Sequence, residues 1–312
     1  MRAARLHAPR DLRVEVLPDP EPAPGELLVR IEACGVCPTD ARKYASGTSD
    51  GYPLNPGHEW VGRIEALGAG VEGWQVGQRV YGDTYAGYAD LAVLAVDPGP
   101  WSHGPLLLPD DLELDRAVFV EPLADCLHAV LDQGRVRAGQ RVTVVGGGQM
   151  GLQLVLAAAI AGADVTLVEP DAARRALGPE VGAGLAVGDI ADAPGGADAV
   201  VLSIGIGDLV DPCVALAAPG GRVVLFAGFG ERSRAEIDVD RLHYEEIAIV
   251  GSEWIGTPPY QRREHYAAAL ELLASGRAPL ERLVTGRCDL DGLEDAFAAI
   301  HARRGLKTVL VP

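Results

Sequence analysis

Residues 141–161 read RVTVVGGGQMGLQLVLAAAIA, which is a short apolar run, a glycine-rich turn and a longer stretch rich in alanine and leucine. The turn matches the pattern G-x-G-x-x-G, and the residues that we expect to contact a ligand are Gly146, Gly148, Gln149, Met150 and Gly151. Between a strand and a helix, such glycines permit a tight turn and a close approach to a pyrophosphate, which the helix N-terminus binds through its free N–H groups. The stretch therefore predicts a dinucleotide-binding βα unit.

An acidic residue ends the next apolar run. Glu169 stands where a carboxylate can accept hydrogen bonds from both ribose hydroxyls of an adenosine. The same carboxylate would repel a 2′-phosphate, which favours NAD over NADP. Arg174 weakens that preference, because an arginine can pair with the phosphate. NAD is therefore the expected cofactor, and NADP is the less favoured one.

Apolar runs and helical stretches keep alternating up to about residue 250. This alternation predicts βαβ units and a parallel sheet whose strands are buried on both faces. The residues at the end of a later strand, which we expect to contact the nicotinamide half of the cofactor, are Ser203, Ile204 and Gly205. Before about residue 96, glycine and proline divide the chain into short strands, which we expect at 27–33, 60–67, 79–81 and 88–93. We expect a β-rich domain split between residues 1–121 and 255–312, with the dinucleotide-binding domain inserted at 122–254.

Composition excludes several function classes. The 312 residues include 44 acidic and 27 basic ones, a formal charge of −17, so a nucleic acid or an anionic membrane surface would be repelled. Lys43 and Lys307 are the only lysines, which leaves few candidates for a Schiff base or a phosphate loop. No segment predicts a signal peptide or a membrane span, and the five cysteines do not suggest a disulfide framework. We expect a cytoplasmic protein that acts on a small molecule.

Side chains with metal-binding chemistry are spread over the β-rich part. Cys37, His58, Glu59 and Glu121 offer one thiolate, one imidazole and two carboxylates, which suits a tetrahedral zinc site with an exchangeable position. Each residue alone is a weak signal, because a cysteine usually packs as a small hydrophobe and a glutamate is usually solvated. Cys34 forms a C-x-x-C pair with Cys37, but no second pair completes a four-cysteine site. Of these two cysteines, we therefore expect only Cys37 to be a metal ligand.

Taken together, the motifs resemble those of the zinc-containing medium-chain dehydrogenase/reductases of the alcohol and polyol dehydrogenase type. The matching segments are ACGVC-x-TD at 33–40, PGHE-x-x-G at 56–62, G-x-RV at 77–80, EPL at 121–123, the glycine fingerprint at 146–151 and PGGR at 219–222. Their order and approximate spacing fit over nearly the whole chain. Several motifs in register are far more specific than any one of them.

The resemblance implies an α/β chain with a GroES-like, partly open β-barrel catalytic domain and a Rossmann domain with a doubly wound parallel sheet. It implies that a catalytic zinc and the cofactor meet in the cleft between these domains. Carried over by position, Cys37 and His58 are zinc ligands, and Asp40 orients His58. In polyol-type members the remaining ligand is either Glu59 or Glu121, directly or through water, and the sequence leaves this choice open.

The resemblance also implies a path for the substrate proton. Thr39 would supply the hydroxyl that contacts the substrate oxygen. Many members carry a proton-relay histidine where this chain has Arg42, and an arginine stays protonated. The proton would then leave by water along Thr39 and the cofactor ribose, or through another group such as Tyr44 or His128.

A second departure concerns the metal content. Most members carry a lobe with four closely spaced cysteines, which binds a structural zinc, between the counterparts of Asp83 and Glu121. In this chain that stretch is short and contains no cysteine. We therefore expect one catalytic zinc per chain and no structural zinc.

The resemblance favours a particular reaction. The segments HE at 58–59 and EPL at 121–123 are similar to those of the sorbitol, threonine and cyclitol branch, and GHEW at 57–60 resembles that of dehydrogenases that act on aminocyclitols. We therefore expect hydride transfer between NAD(H) and a secondary alcohol or ketone on a polyol, sugar or (amino)cyclitol. The alternatives are an NADPH-dependent, zinc-free ketone, enone or quinone reductase and a non-catalytic NAD-binding protein. By analogy with the family, the strand at 247–252 is expected to pair in a homodimer, or in a dimer of dimers.

Overall fold

The computed structural model describes residues 1–49, 51–97, 104–229, 233–254 and 259–312, apart from the side chains of residues 259–261. The chain divides into a first unit of Met1–Glu121 with Pro258–Pro312 and a second unit of Pro122–Thr257. The predicted start of the last domain, residue 255, lies outside the described residues.

The first unit is built mainly of strands. Its first segment contains β1 (Arg2–Ala8), β2 (Asp11–Val16), β3 (Glu26–Val36), α1 (Pro38–Ser46), β4 (Trp60–Leu67), β5 (Arg79–Gly82), β6 (Leu91–Ala95), β7 (Leu106–Leu107) and α2 (Leu114–Ala117). Helix α3 (Val120–His128) runs across the boundary in sequence between the units and continues as a π-helical turn, Ala129–Gln133.

The second unit alternates strands and helices. Its elements are β8 (Arg141–Val145), α4 (Gln149–Ile160), β9 (Asp164–Val168), α5 (Ala172–Ala176), β10 (Leu185–Val187), β11 (Ala197–Leu202), α6 (Val210–Leu216), β12 (Ala217–Leu225), α7 (Val239–Tyr244) and β13 (Ala248–Gly251). The chain then completes the first unit with α8 (Pro259–Ala274), β14 (Val284–Cys288), α9 (Leu293–His301) and β15 (Lys307–Leu310).

A seven-stranded sheet forms the frame of the first unit. Its order is β14-β15-β3-β4-β5-β7, with β6 also paired to β3. All of these pairs are antiparallel except β14 with β15. Strand β3 pairs with both β4 and β15, so the residues just before β4 and the first residue of β15 are brought to the end of β3, beside Gly35.

The sheet of the second unit is entirely parallel, in the order β10-β9-β8-β11-β12-β13. Numbered along the chain this is the order 3-2-1-4-5-6 of a doubly wound dinucleotide-binding sheet, in which ligands bind beyond the carboxyl ends of the strands. Helix α4 is almost wholly buried, which explains why its sequence is apolar on all sides. The predicted Rossmann architecture is confirmed.

The structure differs from the sequence-based expectations in two places. The hairpin of β1 and β2 was not predicted, because its first strand mixes arginines with small alanines instead of large apolar residues. A strand was predicted from Tyr88 to Val93, but β6 begins only at Leu91. Tyr88 instead lies in the preceding loop, where its side chain is buried.

Candidate active site

Three side chains of the first unit form a compact set of metal-binding donors. Cys37 is the residue immediately before α1, and His58 and Glu59 immediately precede β4. One donor atom from each residue lies within 4.8 Å of the other two. Gly57 has φ +91°, and a Cβ there would lie 2.7 Å from the backbone nitrogen of Tyr88, so the turn that presents His58 requires glycine.

Asp40 and Tyr88 support this donor set. The Oδ2 atom of Asp40 lies 3.4 Å from Nδ1 of His58 and accepts a 2.9 Å hydrogen bond from the Tyr88 hydroxyl. The same hydroxyl accepts a 3.3 Å hydrogen bond from the backbone N–H of Cys37. Tyr88 is buried, and its backbone N–H donates to the Pro56 carbonyl over 3.2 Å, so it links the two chain segments that supply Cys37 and His58.

Glu59 forms a buried ion pair that the sequence did not reveal. Its Oε2 accepts a hydrogen bond from Nζ of Lys307, the first residue of β15. The two side chains are 1 % and 0 % exposed. Burial alone would lower the pKa of Lys307, but the negative charge of Glu59 and Cys37 outweighs it and raises that pKa. A Cβ at Gly35 would lie 2.7 Å from the Lys307 ammonium, so the glycine leaves space for the pair.

Glu121, the other candidate carboxylate, is not part of the compact set. It is half-buried, and its backbone N–H donates to the Tyr81 hydroxyl over 3.3 Å. Burial and the charge of Glu59 raise its pKa to about 7, although His58 and Lys307 act in the opposite direction. Among the described residues, the structure brings Glu59 and not Glu121 into the group with Cys37 and His58.

The electrostatics of this set suit a cation. Burial would lower the pKa of His58, but the Asp40 carboxylate and the Cys37 sulfur outweigh it and raise that pKa well above its usual value. Burial and the Glu59 carboxylate raise the pKa of the Cys37 thiol. Positive charge is thus favoured here, and a thiolate, an imidazole and a carboxylate are ligands that zinc prefers. Cys34 is fully buried in β3, and burial, the largest cause, raises the pKa of its thiol well above the usual value.

The residues considered for proton transfer are in different environments. Thr39 is half-buried in the first turn of α1, and Arg42 is exposed on the same helix. The Tyr44 hydroxyl donates to Glu294 over 2.8 Å, and this hydrogen bond raises the pKa of Tyr44. His128 belongs to the second unit, where its Nδ1 lies 2.8 Å from the Asp132 carboxylate. Tyr44 and His128 are thus each engaged by a carboxylate of their own unit.

The glycine fingerprint of the second unit forms the turn from β8 into α4. A Cβ at Gly151 would overlap the carbonyl oxygen of Gly146, so the turn requires glycine at this position. Gly148 precedes α4, and a Cβ there would meet nothing within 4 Å, which leaves space beside the helix N-terminus. The Gln149 side chain is buried, and neither amide atom has a hydrogen-bond partner among the described residues. The Met150 carbonyl oxygen accepts from the Cys126 thiol over 3.6 Å.

Glu169 is held against this turn. Its carboxylate accepts hydrogen bonds from the backbone N–H groups of Gly147, at 2.6 Å, and Asp171, at 2.9 Å. Arg174 lies in the first turn of α5, and its backbone N–H donates to the Asp171 side chain over 2.9 Å. The predicted ribose-binding carboxylate therefore stands beside the fingerprint in a fixed orientation.

Residues after β11 approach the same turn. The Ser203 hydroxyl donates to the Gly146 carbonyl over 2.8 Å, and a Cβ at Gly146 would lie 3.5 Å from Cβ of Ile204. A Cβ at Gly205 would overlap the carbonyl oxygen of Gly228, so the loops after β11 and β12 are in backbone contact there. In the second unit Glu169, Ser203 and Ile204 thus all lie against the turn between β8 and α4.

Comparisons with known proteins define the family. Residues 23–94 match the model of the alcohol dehydrogenase GroES-like domain, and residues 149–275 match that of the zinc-binding dehydrogenases. A probable alcohol dehydrogenase of Mycobacterium tuberculosis is 32% identical, and the alignment covers 97% of this chain and 95% of the relative. The chain belongs to the zinc-containing medium-chain alcohol and polyol dehydrogenases. The resemblance seen in the sequence motifs is therefore confirmed.

Other relatives of this dehydrogenase agree with that assignment. The (R,R)-butanediol dehydrogenase of Bacillus subtilis is 29% identical, with 100% of this chain and 99% of the relative aligned. The solved structure of a zinc-binding dehydrogenase from Sinorhizobium meliloti, bound to NADP, has a TM-score of 0.89 and 28% identity, and 100% of this chain and 99% of that chain are covered. The predicted fold class, a GroES-like domain with a Rossmann domain, is confirmed. Among the described residues of this dehydrogenase, no helix is long and apolar enough to cross a membrane.

Proposed function

We propose that this dehydrogenase transfers a hydride between NAD(H) and a secondary alcohol or ketone of a polyol, sugar or cyclitol, with one zinc ion per chain. The observation that carries the proposal is the compact donor set of Cys37, His58 and Glu59 in the first unit. The relatives named as butanediol and sorbitol dehydrogenases support a substrate with several hydroxyl groups. The absence of cysteine between Asp83 and Glu121 supports a single metal site.

The residues of the first unit would have separate roles. Cys37, His58 and Glu59 would hold the zinc, and Asp40 would fix the orientation of the His58 ring. When bound, zinc supplies Lewis acidity toward the substrate oxygen, and the nicotinamide ring supplies the hydride acceptor. Thr39, in the first turn of the helix that follows Cys37, would accept a hydrogen bond from the substrate hydroxyl and pass its own proton on to water as it takes the substrate proton.

Thr39 offers a direct test of this chemistry. Thr39→Val keeps the shape of the side chain but removes its hydroxyl, so kcat should fall about 100-fold, the lower end of what a positioned proton-transfer group contributes. Thr39→Ser keeps the hydroxyl and should retain most of the activity. The measurement is the initial rate of NAD reduction with sorbitol and with butane-2,3-diol. Equal rates for the valine and serine variants would contradict the role of Thr39, and no turnover by the wild-type enzyme would contradict the proposed reaction.

Cofactor choice rests on Glu169. Its carboxylate is fixed beside the fingerprint by Gly147 and Asp171, where it would bind the adenosine ribose and repel a 2′-phosphate. We expect tighter binding of NADH than of NADPH. In Glu169→Gln the ratio of the two Kd values should move toward NADPH by about tenfold, equivalent to ~1.4 kcal/mol. Fluorescence titration with each cofactor measures the two Kd values. An unchanged ratio would show that Glu169 does not distinguish the ribose of NADH from the 2′-phosphorylated ribose of NADPH.

We also propose that the enzyme is a homodimer formed through the edge of its parallel sheet. Strand β13 is the last strand of that sheet, and its apolar residues Ala248, Ile249 and Val250 are only partly buried. An edge strand with apolar side chains is a ready template for pairing with a second chain.

A further inference from the structure

A tyrosine that the proposed mechanism does not use lies against the metal-binding donors. Tyr85 follows β5, and its ring centroid is 5.2 Å from that of His58, with the two planes at 62°. The Tyr85 side chain is 41 % exposed. Tyr85 therefore forms a solvent-accessible wall beside His58.

Lys43 fixes the position of this tyrosine. Its Nζ atom donates a 2.7 Å hydrogen bond to the Tyr85 hydroxyl and lies 4.0 Å from the centroid of the ring. A cation over an aromatic face is attracted by the ring quadrupole, so the ammonium holds both the ring and its hydroxyl. Lys43 is on α1, the helix that begins directly after Cys37. The orientation of Tyr85 is thus tied to the backbone that presents the metal ligand.

The hydrogen-bond capacity of Tyr85 is only partly used by Lys43. A phenol has one O–H donor and two acceptor lone pairs, and the lysine occupies one lone pair. Among the described residues no partner uses the O–H donor or the second lone pair, and a substrate hydroxyl can pair with either of them, as acceptor or as donor. The neighbouring Thr84 adds a second polar group, since its Oγ1 is buried and has no hydrogen-bond partner among the described residues.

We propose that Tyr85, positioned by Lys43, binds a second hydroxyl of the substrate on the carbon next to the one that is oxidised. The enzyme would then select vicinal diols over alcohols with a single hydroxyl. An alcohol that places a methylene against Tyr85 lacks this hydrogen bond, so it should bind and react less well than the diol. This inference rests on the proposed function, because it assumes that the reacting oxygen binds at Cys37, His58 and Glu59.

The test compares butane-2,3-diol with butan-2-ol, which differ in one hydroxyl. In Tyr85→Phe, kcat/KM for the diol should fall about tenfold, the equivalent of ~1.4 kcal/mol, while kcat/KM for butan-2-ol changes less than about twofold. Lys43→Met should lower the diol value in the same direction, because it releases the ring. Calorimetry of both alcohols with the enzyme–NADH complex should show the same selective rise in Kd for the diol. The zinc content of both variants should equal that of the wild type.

If Tyr85→Phe lowers kcat/KM equally for the two alcohols, the tyrosine acts through packing and the inference is overturned. Unchanged kcat/KM values for both alcohols would overturn it as well. Failure of the proposed function gives a different result, namely no turnover of either alcohol by the wild-type enzyme. The calorimetric arm is independent of turnover, so a diol that binds no more tightly than butan-2-ol to the wild type also overturns the inference.

Discussion

Replacing Lys307 by methionine is expected to destabilise the metal-free protein by about 3–5 kcal/mol. The substitution removes the ammonium that pairs with Oε2 of Glu59, and both side chains are fully buried. Breaking a buried ion pair from one side leaves an uncompensated charge, which costs far more than the net contribution of the pair. Methionine has a similar volume, so the loss is electrostatic rather than a cavity effect. Chemical denaturation of chelator-treated protein measures the free energy of unfolding.

Two variants serve as controls for Lys307→Met. Lys43→Met removes the other lysine, which is partly exposed, and should cost less than about 1 kcal/mol. The double variant Lys307→Met with Glu59→Gln removes both charges and should recover much of the stability, because a neutral amide is easier to bury than a carboxylate. If Lys307→Met unfolds no more readily than Lys43→Met, the buried ion pair is not an energetic link between β15 and the metal-binding donors.

His58→Ala is expected to have the largest effect on catalysis. His58 stands among Cys37, Glu59 and Asp40, and its removal leaves the donor set with two of its three ligands. We expect loss of bound zinc and a fall in kcat/KM of about 1,000-fold, which corresponds to several kcal/mol of lost transition-state stabilisation. The rate of NAD reduction with butane-2,3-diol and the Kd of NADH are the measurements.

The control for this variant is His7→Ala, which removes a histidine that pairs with Glu15 in the hairpin of β1 and β2. It should keep its zinc and its activity. NADH should bind with unchanged Kd to both variants, because the fingerprint and Glu169 belong to the second unit. Full activity in His58→Ala would contradict the proposed zinc chemistry.

Where the fold is encoded by local pattern, the sequence was sufficient to predict it. The strands at Arg141–Val145 and Trp60–Leu67 have the predicted bounds. Gly146 ends the apolar run of the first strand, and Gly68 ends the alternation of polar and apolar residues in the second. The fingerprint and Glu169 lie close together because both follow adjacent parallel strands at the same edge of the sheet. These relations depend on short segments and on the topology of a parallel sheet.

The candidate metal site depends on contacts between distant segments, which no local pattern records. Lys307 reaches Glu59 across 248 positions of sequence, through the pairing of β15 with β3. One signal was available, since Lys307 is one of two lysines and stands directly before the apolar run TVLV at 308–311, where a buried charge needs a partner. Tyr88 and Tyr85 carried no such signal, because aromatic residues are usual in the strands and loops of a β-rich domain.

The measurement that tests the account most directly is the zinc content per chain of protein purified with zinc and washed of loosely bound metal, determined by elemental mass spectrometry. The account predicts one zinc in the wild type and none in His58→Ala. Two zinc ions per wild-type chain would contradict the single site inferred from the cysteine-free stretch between Asp83 and Glu121. A wild type that holds no zinc under these conditions would contradict the assignment of Cys37, His58 and Glu59 as its ligands.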